Sequence, residues 1–316
     1  MVELVMQEIV PLIALALAGV AGGRFFDFKQ GSEKILTHFV LWLAGPSALF
    51  LAIQNSSADA LLDAGVSVTS LLVFSVTYLG TVLVHRYWLG HAVADGAIAA
   101  CCTTSMNLIM IGLPISLSVA GDQAGAVVAI NALLSLVIFV PVTVALLDPS
   151  TPEQGDASSG VGSHIASSLG NPLVIGTLIG LVVLSLHITI PSSIEHTLGL
   201  LKEASVPVGM VALGLTVNSI GLHSINREVL LMCGTKMVIV PAIALGAAVL
   251  FRLPPAAATA LVVLFSCPPA LHSYILASEY STYEQESDGI ILLSILISVI
   301  SIPVFISACQ RIWVLS

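Results

Sequence analysis

Apolar stretches of about 20 residues recur along nearly the whole chain, each bounded by a short polar segment. A helix of that length crosses the hydrocarbon core of a bilayer. The pattern predicts spans near residues 5 to 23, 34 to 54, 64 to 85, 95 to 120 and 124 to 147. After a gap it predicts five more, near 170 to 190, 197 to 218, 228 to 251, 256 to 279 and 289 to 312. The stretch from Asp148 to Ser168 holds Pro149, Pro152 and several Ser and Gly. It cannot bury its backbone and reads as a connector. The predicted fold is an all-α polytopic membrane protein of 10 transmembrane helices. Residues 1–147 form one five-helix unit, 148–168 the connector and 169–316 a second unit.

The two units align at one offset: Pro11 with Pro172, Gly19 with Gly180 and Pro46 with Pro207, each 172 − 11 = 161 positions apart. An odd number of spans per unit forces the second copy to enter the membrane from the opposite side. That is the inverted-repeat plan of many secondary transporters. Neither a receptor nor a membrane enzyme needs it.

Composition agrees: 57% of residues are hydrophobic and 9% charged, against about 25% charged in soluble domains. The net charge of -9 comes mostly from carboxylates outside the apolar runs, among them Asp148, Glu153, Asp156, Glu284, Glu286 and Asp288, and gives no reason to expect nucleic acid. The five cysteines lie in apolar runs without metal-ligand spacing and read as small hydrophobes. Glu3 and Glu8, with no Lys or Arg ahead of the first run, argue against a cleaved signal. Arg24, Lys29, Lys34, Arg86 and Arg227 fall on one side of the membrane, against Lys202, Arg252 and Arg311 on the other. The excess places the connector in the cytoplasm and both termini outside the inner membrane. No HExxH, phosphate-binding glycine loop or GxSxG elbow occurs. No cofactor or metal is expected, and a metalloenzyme, an ATP-driven pump and a serine hydrolase each lose support.

Candidate chemistry concentrates in three spans. The fourth contains Thr104-Ser105-Met106-Asn107-Leu108-Ile109-Met110-Ile111-Gly112-Leu113-Pro114. Pro114 removes a backbone donor and Gly112 permits unusual dihedrals, so the helix is expected to break between Asn107 and Pro114. At the same offset Asn107 maps onto Pro268, inside Ser266-Cys267-Pro268-Pro269-Ala270-Leu271-His272-Ser273-Tyr274 of the ninth span, which must break too. Two facing breaks offer half-helix amino ends with partial positive charge to a carboxylate. The plainer reading is that these residues only bend their helices. Lys236 lies near the centre of the eighth span, where an ammonium costs about 2.5–3.5 kcal/mol or more. It is either a counter-charge for an anionic substrate or a switch that pairs with a carboxylate, or else a snorkelling or structurally ion-paired lysine. His272 and Tyr274 either donate to the site or carry a proton, or act as structural hydrogen-bonders. Asp95, Asp122, Glu203 and Glu279 fall at predicted helix ends, where headgroup solvation accounts for them.

Several short motifs stand in order along essentially the whole chain: Asn107 with Gly112-Leu113-Pro114, Asn171-Pro172-Leu173, Ser205-Val206-Pro207 with Ala212-Leu213-Gly214, Lys236 with Pro241, and Pro268 through Ala277-Ser278-Glu279-Tyr280. In these the sequence resembles a bacterial member of the auxin efflux carrier family, the group that includes the plant PIN carriers, within the wider superfamily of bile, arsenite and riboflavin transporters. The resemblance implies a scaffold from spans 1, 2, 6 and 7, a transport part from the rest, and crossing of spans 4 and 9 at their breaks. It further implies carriage of carboxylates, with malonate or malate as the usual suggestion, by an elevator-like movement in a homodimer. The connector of about 20 residues differs from the long loop of many plant members, so plant-type phosphoregulation does not carry over. A proton is the first choice of coupling ion because no sodium cage is recognisable, although broken-helix carbonyls coordinate sodium without a sequence mark. The alternatives are a sodium-coupled carrier of the bile-acid symporter type and a membrane sensor that binds without translocating.

Overall fold

The computed structural model describes residues 10–25, 28, 31–61, 63–147, 169–219 and 225–314; the predicted connector lies outside them. Every regular element among the described residues is a helix. We number them α1 (Val10–Phe25), α2 (Ser32–Gln54), α3 (Ala64–Val84, continued by a wide turn His85–Leu89), α4 (Val93–Thr104), α5 (Leu108–Ala120) and α6 (Gln123–Leu147). The later half holds α7 (Pro172–Ser185), α8 (Ser192–Ser219), α9 (Arg227–Leu250), α10 (Pro255–Ser266), α11 (Leu271–Glu279) and α12 (Glu284–Val314).

Seven helices among the described residues are long and apolar enough to cross a membrane, counting α4 and α5 as one through their break. The chain is therefore a polytopic α-helical membrane protein. Three further apolar helices, α1, α7 and α10, are shorter, at 16, 14 and 12 residues. The predicted bounds shift by five residues at three places: α7 ends at Ser185, α8 begins at Ser192 and α12 at Glu284. Glu284, Glu286 and Asp288 thus belong to the opening turns of a helix rather than lying outside one, where carboxylates favour the helix amino end.

Wide, π-type turns punctuate these helices, and four of them have one cause. Gly45, Leu113, Val140 and Val240 each donate to the carbonyl five residues back, and each stands immediately before a proline: Pro46, Pro114, Pro141 and Pro241. The ring of proline displaces the carbonyl four residues behind it and supplies no donor, so the preceding turn widens. The carbonyl that Pro241 frees, that of Met237, accepts the Ser301 hydroxyl from α12. In hydrocarbon such a group must find a partner within the protein.

Glycine seams join two pairs of helices. A Cβ on Gly19 of α1 would overlap the Val211 carbonyl of α8, and one on Gly214 would overlap the Ala16 carbonyl in return. Gly176 of α7 meets Pro46 of α2 at 2.8 Å in the same sense. Small residues permit such backbone approach, which is how helices gain dispersion contact where lipid offers no hydrophobic drive. Helix α8 also packs on α2, so α1, α2, α7 and α8 adjoin. Helix α10 packs against α5, α6, α9 and α12, with Leu261 through Phe265 fully buried. It is apolar all round because it meets protein all round.

Candidate functional site

The two breaks meet. Helix α4 ends as Ser105 turns to extended backbone (φ -63°, ψ 152°), and α10 ends at Cys267 in a similar conformation (φ -71°, ψ 149°). The Asn107 N–H then donates to the Pro268 carbonyl at 2.9 Å, and the Ala270 N–H donates to Ser105 Oγ at 3.3 Å. Proline at 268 and 269 cannot continue α10, so each chain satisfies polar groups that the other's break has freed. The fourth-span break thus lies at Ser105–Asn107, just ahead of the range from Asn107 to Pro114 expected from sequence. Pro114 stands inside α5, where it widens the preceding turn rather than making the break.

Two helix amino ends start from this contact. Asn107 caps α5, its Oδ1 accepting the Met110 N–H at 3.3 Å, while its Nδ2 faces Met110 Sδ at 3.7 Å. Helix α11 begins after Ala270, which has no side chain to cap it. The N–H groups of Leu108, Met110 and Ser273 in these first turns already have partners, so what the two amino ends offer an anion is chiefly the partial positive charge of their dipoles. Gly112 lies against the second strand of the contact: a Cβ there would come within 2.7 Å of Leu264 Cδ2 and 3.2 Å of the Asn107 carbonyl oxygen. Behind the crossing stands Gly209 of α8, where a Cβ would press on the Met110 side chain.

Lys236 lies in the widened turn of α9, which packs between α4 and α10, the two helices that end at the breaks. The residue is 0% exposed, and its Nζ has no hydrogen-bond partner among the described residues. The thiols of Cys102 and Cys267 lie within electrostatic range of it. It neither snorkels to an interface nor sits in an ion pair; the ion pairs among the described residues all involve histidine. A fully buried ammonium without an acceptor is a state that an incoming anion relieves.

The remaining candidates divide. His272 stands in the first turn of α11, its Nε2 buried without a partner among the described residues, so it belongs with the crossing. Tyr274 instead lines a cavity of about 400 Å³ between α2, α8 and α11, with Glu33, Lys34, His38, Trp42 and Glu279 around it. That cavity lies along α11 and does not include the contact between the breaks. Glu279 therefore has a lined cavity beside it. Asn171, part of the motif opening the sixth span, caps α7 by accepting the Leu173 N–H at 2.9 Å.

Sequence reasoning missed two features. Asp288 Oδ1 of α12 is buried without a partner among the described residues. A polar cluster of His85, His91, Glu228 and Tyr283 gathers where α3 ends and α9 begins. Burial and the adjoining Glu228 carboxylate hold the Tyr283 phenol protonated well above the ordinary tyrosine range. No spacing in the sequence could have found it, because its members come from three separate elements.

A family model described as "Membrane transport protein" matches residues 4–306. The chain is 23% identical over 302 residues to the Escherichia coli (strain K12) protein named "Uncharacterized transporter YfdV", covering 95% of this chain and 96% of that one. It is 22% identical over 304 residues to a Rhizobium meliloti (strain 1021) protein named "Putative malonate transporter", covering 93% and 92%.

Proposed function

Because the chain belongs to the membrane transport protein family, and so is a membrane transporter and not an enzyme, we propose that it carries a small organic anion across the inner membrane. The cargo is a carboxylate or dicarboxylate such as malonate or malate, bound at the crossing of the two breaks. The observation that carries this reading is Lys236, a fully buried lysine whose Nζ has no acceptor among the described residues, on a turn wedged between the two helices that break. The half-helix amino ends at Asn107 and Ala270 add partial positive charge. The name of the Rhizobium meliloti relative points to the same class of cargo.

The working architecture is ten spans in two inverted five-helix repeats. Support comes from the seams: the Gly19 and Gly214 contact has a counterpart in Gly180 and Ile53, since 19 + 161 = 180 and 214 − 161 = 53. The glycine-seamed helices α1, α2, α7 and α8 serve as the scaffold, and the rest move as the transport part, elevator fashion, in a homodimer. The cavity along α11 lies between these two parts, on the side that the Lys and Arg distribution assigns to the cytoplasm. Both termini then lie outside the cell membrane.

The test is a thermal-shift screen of purified protein with mono- and dicarboxylates and neutral analogues, since a ligand of the native state raises its melting temperature. A carboxylate that stabilises wild type but neither Asn107→Ala nor Lys236→Met supports the site. Stabilisation by neutral or lipid-like ligands alone removes its chemical basis.

A further inference from the structure

His85, the first residue of the wide turn ending α3, is 0% exposed. Its Nδ1 lies 3.0 Å from the Thr81 carbonyl oxygen. A carbonyl only accepts, so Nδ1 carries a hydrogen. Its Nε2 lies 3.1 Å from Glu228 Oε1 and 3.2 Å from the Tyr283 hydroxyl oxygen. The Tyr283 hydroxyl donates its one hydrogen to the same Oε1 at 2.6 Å. His91 Nε2 stands 3.0 Å from the other carboxylate oxygen. Around these four, Asp95 of α4 approaches His91 Nδ1 at 3.9 Å, Glu286 of α12 accepts from Asn226, and the Cys102 thiol of α4 and Glu286 lie within electrostatic range of Tyr283.

The donors do not balance for a neutral imidazole facing an ionised carboxylate. Lone pairs on the fully buried His85 Nε2 and on Glu228 Oε1 would then meet at 3.1 Å, too close for a water between them and with the Tyr283 hydrogen already engaged. One further proton, on either atom, turns that contact into a hydrogen bond. We propose that His85 and Glu228, flanked by His91 and Tyr283, form a proton-binding site that couples carriage to the proton, and that the arrangement described is its loaded form. The coupling half of this inference rests on the anion-carrier reading; the proton site itself does not. Helix α9 carries both Glu228 and Lys236, 236 − 228 = 8 residues and so about 12 Å apart along its axis. Release of the proton drives His85 on α3 from Glu228 on α9, and the displacement reaches the buried ammonium through one continuous helix.

Two measurements separate the halves. Hydrogen–deuterium exchange on the full-length protein in detergent, corrected for the intrinsic pH dependence of amides, needs no substrate. Protection of the 82–91 segment in wild type is expected to be about tenfold higher at about pH 5.5 than at about pH 8.5, reporting local opening. Glu228→Gln and His85→Gln are expected to abolish the difference. Equal protection in wild type at both pH values overturns the site. In proteoliposomes with radiolabelled malonate, absence of wild-type counterflow overturns the anion reading for that cargo, and the proton site is then decided by exchange alone. With counterflow present, the ratio of uptake driven by an imposed pH gradient to counterflow is expected to fall about tenfold in Glu228→Gln, and likewise in His85→Gln should the first variant fail to insert. A ratio equal to wild type overturns the coupling.

Discussion

The amide nitrogen of Asn107 lies 2.9 Å from the carbonyl oxygen of Pro268, its own counterpart at the repeat offset, since 107 + 161 = 268. Two copies related by a two-fold axis bring a residue against its equivalent only at the axis. On the proposed inverted-repeat plan the contact between the breaks stands where both halves contribute alike, so that equivalent motions would offer it to either side of the membrane.

Lys236→Met removes the unpaired charge and keeps an unbranched stem of similar length. The unliganded protein is expected to become more stable, by at most about 3 kcal/mol on the insertion scale. Malonate affinity is expected to fall about tenfold or more, about 1.4 kcal/mol. Thermal-shift titration reads both. Greater stability with unchanged affinity would return Lys236 to a purely structural place.

Asn107→Ala removes the cap of α5, at a cost of about 0.5–2 kcal/mol, and abolishes anion-dependent stabilisation. Asn107→Asp keeps an acceptor for the Met110 N–H while setting a carboxylate where an anion should bind. It is expected to regain melting temperature and not binding. Recovery of both would show that Asn107 acts through the cap alone.

Gly112→Ala places a methyl group against Leu264 Cδ2 and the Asn107 carbonyl. Overpacking of this kind costs about 1–3 kcal/mol, and flux is expected to drop with it. Leu264→Ala in the same chain opens room for the methyl group. A double-mutant cycle should show a favourable coupling of about 0.5 kcal/mol or more; strict additivity would mean that the Asn107 carbonyl, not Leu264, sets the limit.

Ser301→Ala leaves the Met237 carbonyl without its hydroxyl donor and is expected to cost about 1–3 kcal/mol. Pro241→Ala restores a backbone donor to that carbonyl, so the double variant is expected to be more stable than Ser301→Ala alone. Denaturation in matched detergent compares them. Equal loss in both would show that the turn stays wide without the proline.

Much of the molecule was legible along the chain because it is local. Apolar runs announce the helices, and prolines announce where they widen: Pro46, Pro114, Pro141 and Pro241 act on their own preceding turns. Asn107, Pro268 and Lys236 stood out since an amide, a proline pair and an ammonium are costly in apolar runs unless something uses them. The end of α4 was misjudged by a few residues because a partner, not the local sequence, sets it. Ser105 is held extended where its Oγ meets Ala270, far along the chain.

The sequence by itself thus determined that this is a polytopic helical protein, which of its spans break, and that a lysine stands inside the eighth span. Only the tertiary structure decided that the breaks meet, that Lys236 meets no acceptor there, that Tyr274 faces a separate cavity, and that His85, Glu228 and Tyr283 converge. The reason is physical: a break or a buried charge follows from the preferences of a few neighbouring residues, whereas a shared hydrogen exists only after packing has brought distant donors and acceptors to within about 3 Å.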